Sequence, residues 1–238
     1  MNYIIGIDEA GRAARKRASF AHHQFIIGID EAGRGPLAGP VVVAGIKIEL
    51  RTKNLELRNI RDSKKLTARQ REEWFRILTN HPKIEYAVAK IYPKVIDRIN
   101  ISQAANLGVL RVCRKLSTNN GKTSSNNESR TNIRITNSSI RKFVKDSLFA
   151  DAIFLDGGLK LPRRISHEVI IKGDEKIPAI SAASIIAKVT RDRLMFRLHK
   201  KYPKYRFDLH KGYGTKLHYV LIRRFGHSVI HRKSFRLS

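Results

Sequence analysis

The sequence predicts a mixed α/β fold, in which five strands form one sheet and helices pack against it. Short β-branched runs alternate with longer amphipathic stretches, as is typical of α/β domains. Two late strand candidates alternate with helices, which favours parallel crossover pairing. The 238 residues, 42% of them hydrophobic, suffice for one domain with a sizeable core. The predicted strands are 25–30, 40–49, 84–92, 152–156 and 167–171, and the predicted helices are 67–79, 93–99, 102–116, 140–149, 178–201 and 214–225.

The order of the elements follows from local signals. Phe25–Ile29 is an apolar run, and the β-branched run Val41–Ile46 can pair with it as a hairpin after a Gly/Pro-rich turn. Ser63 or Thr67 can cap the helix that begins at 67. The Ala- and Ile-rich helix 178–201 is expected to be mostly buried.

Two segments depart from this alternation. Tyr3–Arg12 returns as Phe25–Arg34, but only the second copy is followed by a strand that could pair with it, so residues 1–22 are predicted to be a flexible, partly duplicated leader. The alternative, a working second site, lacks every downstream partner. The Ser/Asn/Thr-rich stretch at about 117–139 has almost no apolar side chains and is predicted to be a flexible surface insertion.

The composition points to a polyanionic partner. Lys and Arg total 48 against 20 Asp and Glu, a net charge of +28, and nucleic acid would offset the self-repulsion. A generally basic proteome is the alternative reading.

A single cysteine, Cys113, excludes an internal disulfide framework and a multi-cysteine zinc site. Because no apolar run approaches the ~20 residues of a membrane span and no signal peptide is evident, we expect a cytoplasmic protein with no membrane partner.

Four acidic residues stand out in this basic chain. Asp30 and Glu31 follow one apolar strand, and Asp156 ends another, each just before glycines. Ligands of α/β sheets gather at the carboxyl ends of strands, so these acids are expected to be neighbours. Asp192 follows Ser184 and Lys188 at intervals of four on the long helix. The alternatives are solvated acids in turns and an exposed Lys–Asp helix pair.

Four carboxylates would make a divalent-metal site. Mg²⁺ and Mn²⁺ prefer oxygen ligands, and two such ions can activate water and stabilise the leaving oxygen of a phosphodiester.

Seven segments carry ordered motifs: Gly28–Val42, Asp62–Thr67, Leu155–Gly157, Lys172–Asp174, Ala179–Asp192, His210–Thr215 and His231–Phe235. They begin with the glycine-rich segment that carries the first two acids and close with the histidine-containing motifs near the end. Together they resemble ribonuclease HII, the bacterial type 2 ribonuclease H, across roughly residues 25–236.

The resemblance implies an RNase H-like sheet flanked by helices, with a C-terminal helical extension, in a catalytic domain spanning 23–238. It also implies a monomeric enzyme that uses Mn²⁺ or Mg²⁺ to hydrolyse the RNA strand of RNA–DNA hybrids and to cut 5′ to ribonucleotides in DNA, leaving 5′-phosphate and 3′-hydroxyl ends. The implied catalytic residues and metal ligands are Asp30, Glu31, Asp156 and Asp192.

The implied substrate contacts lie on a loop, a tyrosine and two lysines. Gly33, Arg34 and Gly35 match the loop that reads the ribose 2′-OH and its phosphates, and Tyr213 matches a tyrosine that stacks on the next sugar. The 2′-OH is the only local feature that distinguishes RNA from DNA, and the Arg34 guanidinium can bind a phosphate. Lys64 could contact phosphate, with an exposed basic helix start as the alternative, and Lys188 is also expected to bind substrate.

The C-terminal part of the chain resembles a duplex-gripping surface. From residue 193 onward there are 13 Lys or Arg and one acid, Asp208, with aromatic residues interleaved at Tyr202, Tyr205, Phe207 and Tyr213. Four histidines of this part, His210, His218, His227 and His231, match no zinc spacing.

Two competing hypotheses remain. One is a non-catalytic nucleic-acid binder with the same fold, which would gain nothing from four carboxylates that face phosphate. The other is ribonuclease HIII, whose additional N-terminal domain has no counterpart in a short leader.

Overall fold

The computed structural model describes residues 25–49, 60, 66–117 and 151–236. The leader 1–22, Lys64, the helix candidate 140–149 and all but the first residue of the insertion at 117–139 lie outside the described residues.

The five predicted strands form one mixed sheet with the order β3-β2-β1-β4-β5. The first three strands pair antiparallel, and β4 and β5 continue the sheet in parallel on the other side of β1. The strands are β1 Phe25–Ala32, β2 Val41–Glu49, β3 Ile84–Ile91, β4 Asp151–Asp156 and β5 Glu168–Ile170.

Five of the predicted helices are confirmed to within two residues. Thr67 forms a capping box with Gln70, so the first helix begins after the cap, and Thr215 likewise caps the last helix by accepting from His218 N. Within the described residues, two short α-helical turns and the 3₁₀ turn Pro203–Tyr205 were not predicted. The helices are α1 Ala68–Asn80, α2 Pro93–Ile99, α3 Ile101–Ser117, α4 Gly173–Lys176, α5 Pro178–Lys201, α6 Phe207–His210 and α7 Lys216–Phe225.

The two faces of the sheet carry different helices. On β1, Ile26 packs in a core cluster with α5, and a Cβ added at Gly28 would overlap the first turn of that helix. Ile27 and Ile29 pack in a second cluster with α3. Because side chains alternate along a strand, Asp30 lies on the α5 face.

The C-terminal helices pack as an extension beyond the sheet. Tyr205 and Phe207 are buried there with Met195 of α5 and Ala38 of the loop after β1. Within the described residues, no helix is long and apolar enough to cross a membrane.

Candidate active site at the strand ends

The register of the sheet brings two of the predicted acids together. β1 and β4 are parallel, and Ile29 is paired with Leu155, so the next residues, Asp30 and Asp156, leave adjacent strands at the same edge. Both follow the alternation onto the α5 face of the sheet. The expected meeting of acids at neighbouring carboxyl ends is therefore found.

Asp30 is buried among like charges, with 5% of its surface exposed. Burial raises the pKa of its carboxyl well above the ordinary value, and the charges of Glu31 and Asp156 raise it further. A hydrogen bond from Ser184 of α5 and a 2.7 Å bond from Glu31 N to Oδ1 act in the opposite direction. Among the described residues, this carboxylate therefore has hydrogen bonds but no ion pair.

Glu31 has one cationic partner and one unused oxygen. Burial raises the pKa of its carboxyl, Arg34 opposes that shift, and Asp156 adds to it. Arg34 Nη1 donates to Oε1 over 3.3 Å, whereas Oε2 is buried without a hydrogen-bond partner among the described residues. A buried carboxylate oxygen without a partner is costly, and a bound cation would satisfy it.

The other two acids have local partners. Asp156 Oδ1 accepts a 2.7 Å hydrogen bond from the backbone N–H of Gly173, at the start of α4. Asp192 is paired with Lys188 at 3.0 Å, one turn earlier on α5. The Lys–Asp helix pair considered from the sequence is therefore present.

The donor set suits a hard divalent cation, because the cluster has buried carboxylates, a raised pKa and an unpartnered oxygen. In the described part of the chain, however, no three His, Cys, Asp or Glu side chains already stand in position to hold an ion. Each acid instead turns towards a local donor. Ion binding would therefore require side-chain rotation at the strand ends.

The glycine-rich loop after β1 lies beside these acids. Besides Glu31, the Arg34 guanidinium donates to Ser102 Oγ of α3 over 3.1 Å and to the Gly158 carbonyl over 3.3 Å. Arg34 thus joins β1, α3 and the turn after β4. The sequence reading gave this side chain to phosphate, whereas here protein acceptors use its donors.

Two buried arginines, which were not predicted as site residues, hold this loop from the protein interior. Arg232 donates to the carbonyls of Gly33, Arg34 and Gly39 over 2.6, 2.7 and 3.0 Å. Arg191 donates to two further loop carbonyls over 3.1 and 3.2 Å. Burial and the neighbouring charge of Arg191 lower the pKa of Arg232 to about 9.

The two loop glycines are constrained differently. Gly33 has φ +92°, and an added Cβ would overlap the Arg191 side chain. A Cβ added at the exposed Gly35 would meet open space. Gly33 is therefore required by the protein itself, whereas Gly35 leaves the outer side of the loop accessible.

Tyr213 lies beside the same loop, as expected. The preceding carbonyl, of Gly212, accepts from the backbone N–H groups of Leu37 and Ala38 over 2.8 and 3.3 Å. The Tyr213 ring is 42% exposed, with Lys188 Nζ and Arg191 Cζ at 5.9 and 5.6 Å from its centroid. Lys188 and Tyr213 thus come together, whereas Lys64 lies outside the described residues.

The interleaved aromatics of the C-terminal part are not a common binding surface. Tyr205 and Phe207 are buried and stack at 5.5 Å between centroids, and Tyr202 packs against the same cluster. The expectation that they grip a duplex is wrong for these residues, because the extension needs them to form its own core. Tyr213 is the exposed member of the set.

The chain is similar over most of its length to proteins of one family. The ribonuclease HII family profile matches residues 27–238. A ribonuclease HII of Coxiella burnetii is 38% identical over 233 residues, which cover 98% of this chain and 87% of that protein.

Solved structures share the fold. In the PCNA–RNase HII complex from Archaeoglobus fulgidus, the matching chain has a TM-score of 0.65 at 23% identity, over 90% of this chain and 96% of that one. A Bst-RNase HIII structure in complex with Mn²⁺ has a TM-score of 0.61 at 16% identity, over 92% of this chain and 69% of that one. The RNase H-like fold expected from the sequence is confirmed.

Proposed function

Because the chain belongs to the ribonuclease HII family, we propose that it cuts DNA duplexes 5′ to embedded ribonucleotides, in a reaction that depends on Mn²⁺ or Mg²⁺. As a ribonuclease H, it is an endonuclease for the RNA strand of RNA–DNA hybrids. The proposed products carry 5′-phosphate and 3′-hydroxyl ends. The supporting observation is the adjacency of Asp30 and Asp156 beside a loop whose conformation is fixed by buried arginines.

The four acids form the proposed ion site. Asp30, Glu31 and Asp156 would be the principal ligands, with Asp192 completing the set once it leaves Lys188. Two bound divalent ions would supply an activated water and neutralise charge on the leaving oxygen. The buried, unpartnered Glu31 Oε2 supports this assignment because a protein without a cation gains nothing from it.

The loop and Tyr213 form the proposed reader of the ribonucleotide. Arg232 draws the Gly33 and Arg34 carbonyls inward and so fixes the backbone that faces the substrate. Because Gly35 has open space where a side chain would lie, a ribose can approach the main chain closely and present its 2′-OH. Tyr213 would lie against the next sugar, at the junction with DNA.

Basic side chains around this site supply the proposed grip on the duplex. Lys188 is partly exposed beside Tyr213, and Lys64 is proposed to contact phosphate from the segment before α1. The 13 Lys and Arg from residue 193 onward supply further positive charge against one acid. We propose a monomer as the active form.

Cleavage of three labelled duplexes of one sequence tests the proposal: all DNA, DNA with one ribonucleotide, and DNA paired with RNA. We expect a cut immediately 5′ to the single ribonucleotide and cuts within the RNA strand, with Mn²⁺ or Mg²⁺ and not with EDTA. The all-DNA duplex should stay intact. Binding of the three duplexes without cleavage in either metal would contradict the proposal and favour the non-catalytic binder.

A further inference from the structure

Three buried histidines in the C-terminal extension have no part in the function proposed above. His210, His218 and His231 are 8%, 0% and 2% exposed. His210 stacks on His218 with 4.1 Å between ring centroids, and His218 Nε2 lies 3.1 Å from His231 Nε2. Buried polar groups need defined partners, so each ring should have one preferred tautomer.

The hydrogen positions follow from a fixed donor at one end. The backbone N–H of Ser228 points to His231 Nδ1 over 2.9 Å, so that nitrogen is an acceptor and the ring proton is on Nε2. His231 Nε2–H therefore donates to His218 Nε2, which leaves the His218 proton on Nδ1. His218 Nδ1–H then donates to the Tyr213 carbonyl over 2.9 Å.

His210 holds the other side of the same dipeptide. The Gly212 N–H donates to His210 Nδ1 over 3.1 Å, so the proton of this ring is on Nε2, which donates to the Tyr205 carbonyl over 2.8 Å. The segment Gly212–Tyr213 is thus bound by one histidine at its N–H and by another at its carbonyl.

This histidine chain connects to the substrate loop. The Gly212 carbonyl accepts from the N–H groups of Leu37 and Ala38, just beyond the glycine-rich turn. Gly212 has φ +85°, and a Cβ there would overlap the Ala38 carbonyl, so the two segments are in close contact. Any shift of the dipeptide would therefore move both the Tyr213 ring and the loop.

The chain requires neutral rings. A second proton on His218 would place two N–H groups face to face across 3.1 Å, and a second proton on His231 would set its Nδ1–H against the Ser228 N–H across 2.9 Å. Burial and the neighbouring histidine charges lower the pKa of both His218 and His231 to about 4. The order of donors is therefore stable at the pH of any ordinary assay.

We propose that His218 is a positioning residue: the neutral chain from Ser228 through His231 and His218 fixes the Tyr213 backbone and so aims its ring at the ribonucleotide–deoxyribonucleotide junction. This inference rests on the proposed function, because the orientation of the Tyr213 ring affects substrate choice only if that ring contacts the substrate. His218 acts through Tyr213 and does not itself touch the substrate.

A pair of substitutions separates the two hydrogen bonds of His218. An asparagine amide reaches the position of Nδ1 and can still donate to the Tyr213 carbonyl, whereas a glutamine amide reaches the position of Nε2 and contacts His231 instead. We expect His218→Gln to lower kcat/KM on the single-ribonucleotide duplex about tenfold, the cost of one buried hydrogen bond. Cleavage of the all-RNA hybrid should change much less, and His218→Asn should restore most of the lost selectivity.

Equal losses on both substrates in His218→Gln, or no difference between the two variants, would overturn the positioning role. Tyr213→Ala is the control for the proposed function. If Tyr213→Ala itself lowers cleavage of both substrates equally, the junction role of the tyrosine fails, independently of the histidines.

The histidine tautomers can be measured in the unmodified protein, so this test does not depend on whether the variants fold. Nitrogen chemical shifts of the histidine rings distinguish a protonated nitrogen from a lone pair. We expect Nδ1–H for His218 and Nε2–H for His210 and His231. A proton on Nε2 of His218, or a charged ring of His210 or His231 at neutral pH, would contradict the proposed order of hydrogen bonds.

Discussion

The strand-end acids and the loop beside them differ in how their charged and polar groups are balanced. Asp30 and Glu31 lie next to other carboxylates, their pKa values are raised, and one buried oxygen has no partner among the described residues. In the loop, Arg191 and Arg232 donate five hydrogen bonds to backbone carbonyls. Among the described residues, Glu31 has Arg34 as its cationic partner but keeps one buried oxygen without a partner, whereas the loop carbonyls accept from arginine donors.

This difference separates what the substrate and ions must supply from what the fold supplies. Hydrogen bonds from Arg191 and Arg232 hold the loop in its conformation, so in the proposed function it can act as a preformed site for a ribose. The acids are close together at a cost in repulsion, which a divalent ion would remove. In that proposal, selectivity comes from the loop, while hydrolysis depends on the ions that the acids bind.

The largest expected effect is at the acids. Asp30→Asn or Asp156→Asn should lower kcat by more than about 100-fold, beyond the usual cost of losing a group that merely supports a metal ligand, because a neutral amide holds a dication poorly. Binding of the hybrid should persist, since basic side chains supply most of the affinity. Activity within a few-fold of the parent, measured with saturating Mn²⁺, would contradict the ion-site assignment.

Although Asp30→Asn should lower activity, it should raise the stability of the metal-free protein. The pKa of Asp30 in the folded protein exceeds its ordinary value of 3.8, so the folded protein binds this proton more tightly than the unfolded chain does. The stability of the metal-free protein therefore falls as pH rises from the ordinary pKa to the folded-state pKa. Asp30→Asn removes this loss. In EDTA at neutral pH, we expect the variant to melt above the parent and with a weaker pH dependence, and a lower melting temperature would show that repulsion is not the dominant cost.

The two loop glycines give the next contrast. Gly33→Ala should destabilise the protein by about 3 kcal/mol, because the residue has positive φ and its methyl group would displace Arg191. Gly35→Ala should cost less than about 0.5 kcal/mol, since its methyl group meets open space. Urea unfolding measures both. Equal destabilisation by the two substitutions would contradict the close packing of Gly33 against Arg191.

Gly35→Ala also isolates substrate reading from folding. We expect it to lower cleavage at a single ribonucleotide while the melting temperature stays near that of the parent. Unchanged cleavage would contradict close approach of the ribose at this position.

Tyr213→Ala should have a smaller and more selective effect. We expect about a tenfold lower kcat/KM at a single ribonucleotide in DNA, within the range for loss of one stacking contact, and a weaker effect within long RNA. Tyr213→Phe, which retains the ring, is the matched control. Steady-state cleavage of the two substrates by the three proteins measures the difference, and parallel losses would refute the junction role.

The smallest expected effect is at the first copy of the repeated motif. Asp8→Asn together with Glu9→Gln should leave activity unchanged, as should deletion of residues 1–22, because β1 already pairs on both sides through the second copy. Exchange of the copies is the competing possibility. It would be revealed if full-length Asp30→Asn kept an activity that the deletion then abolished.

The sheet and the acids could be predicted because their signals are local. A β-branched run shows a strand, and an acid before glycines shows where the strand ends, so Asp30 and Asp156 could be expected to meet. The boundary of α7 was predicted two residues early because Thr215, a cap, resembles a helical residue from sequence alone.

The support of the loop could not be predicted in the same way. Arg232 lies 199 residues from Gly33 along the chain and is one of many arginines, so nothing in its neighbours shows that it is buried. The burial of Tyr205 and Phe207 was missed for the same reason: aromatics among basic residues are as compatible with a binding surface as with a small core. For Arg191 and Arg232, the available signal was their place within motifs that match the family; Tyr205 and Phe207 lie outside those motifs.

Calorimetric titration of Mn²⁺ into the parent, Asp30→Asn and Gly35→Ala tests the central claim most directly, because it measures ion binding without substrate or turnover. The account predicts that the parent and Gly35→Ala bind the ion alike, since both retain the acids, and that Asp30→Asn loses at least about tenfold in affinity. Equal affinity in Asp30→Asn and the parent would contradict the claim that the strand-end acids are completed by a cation.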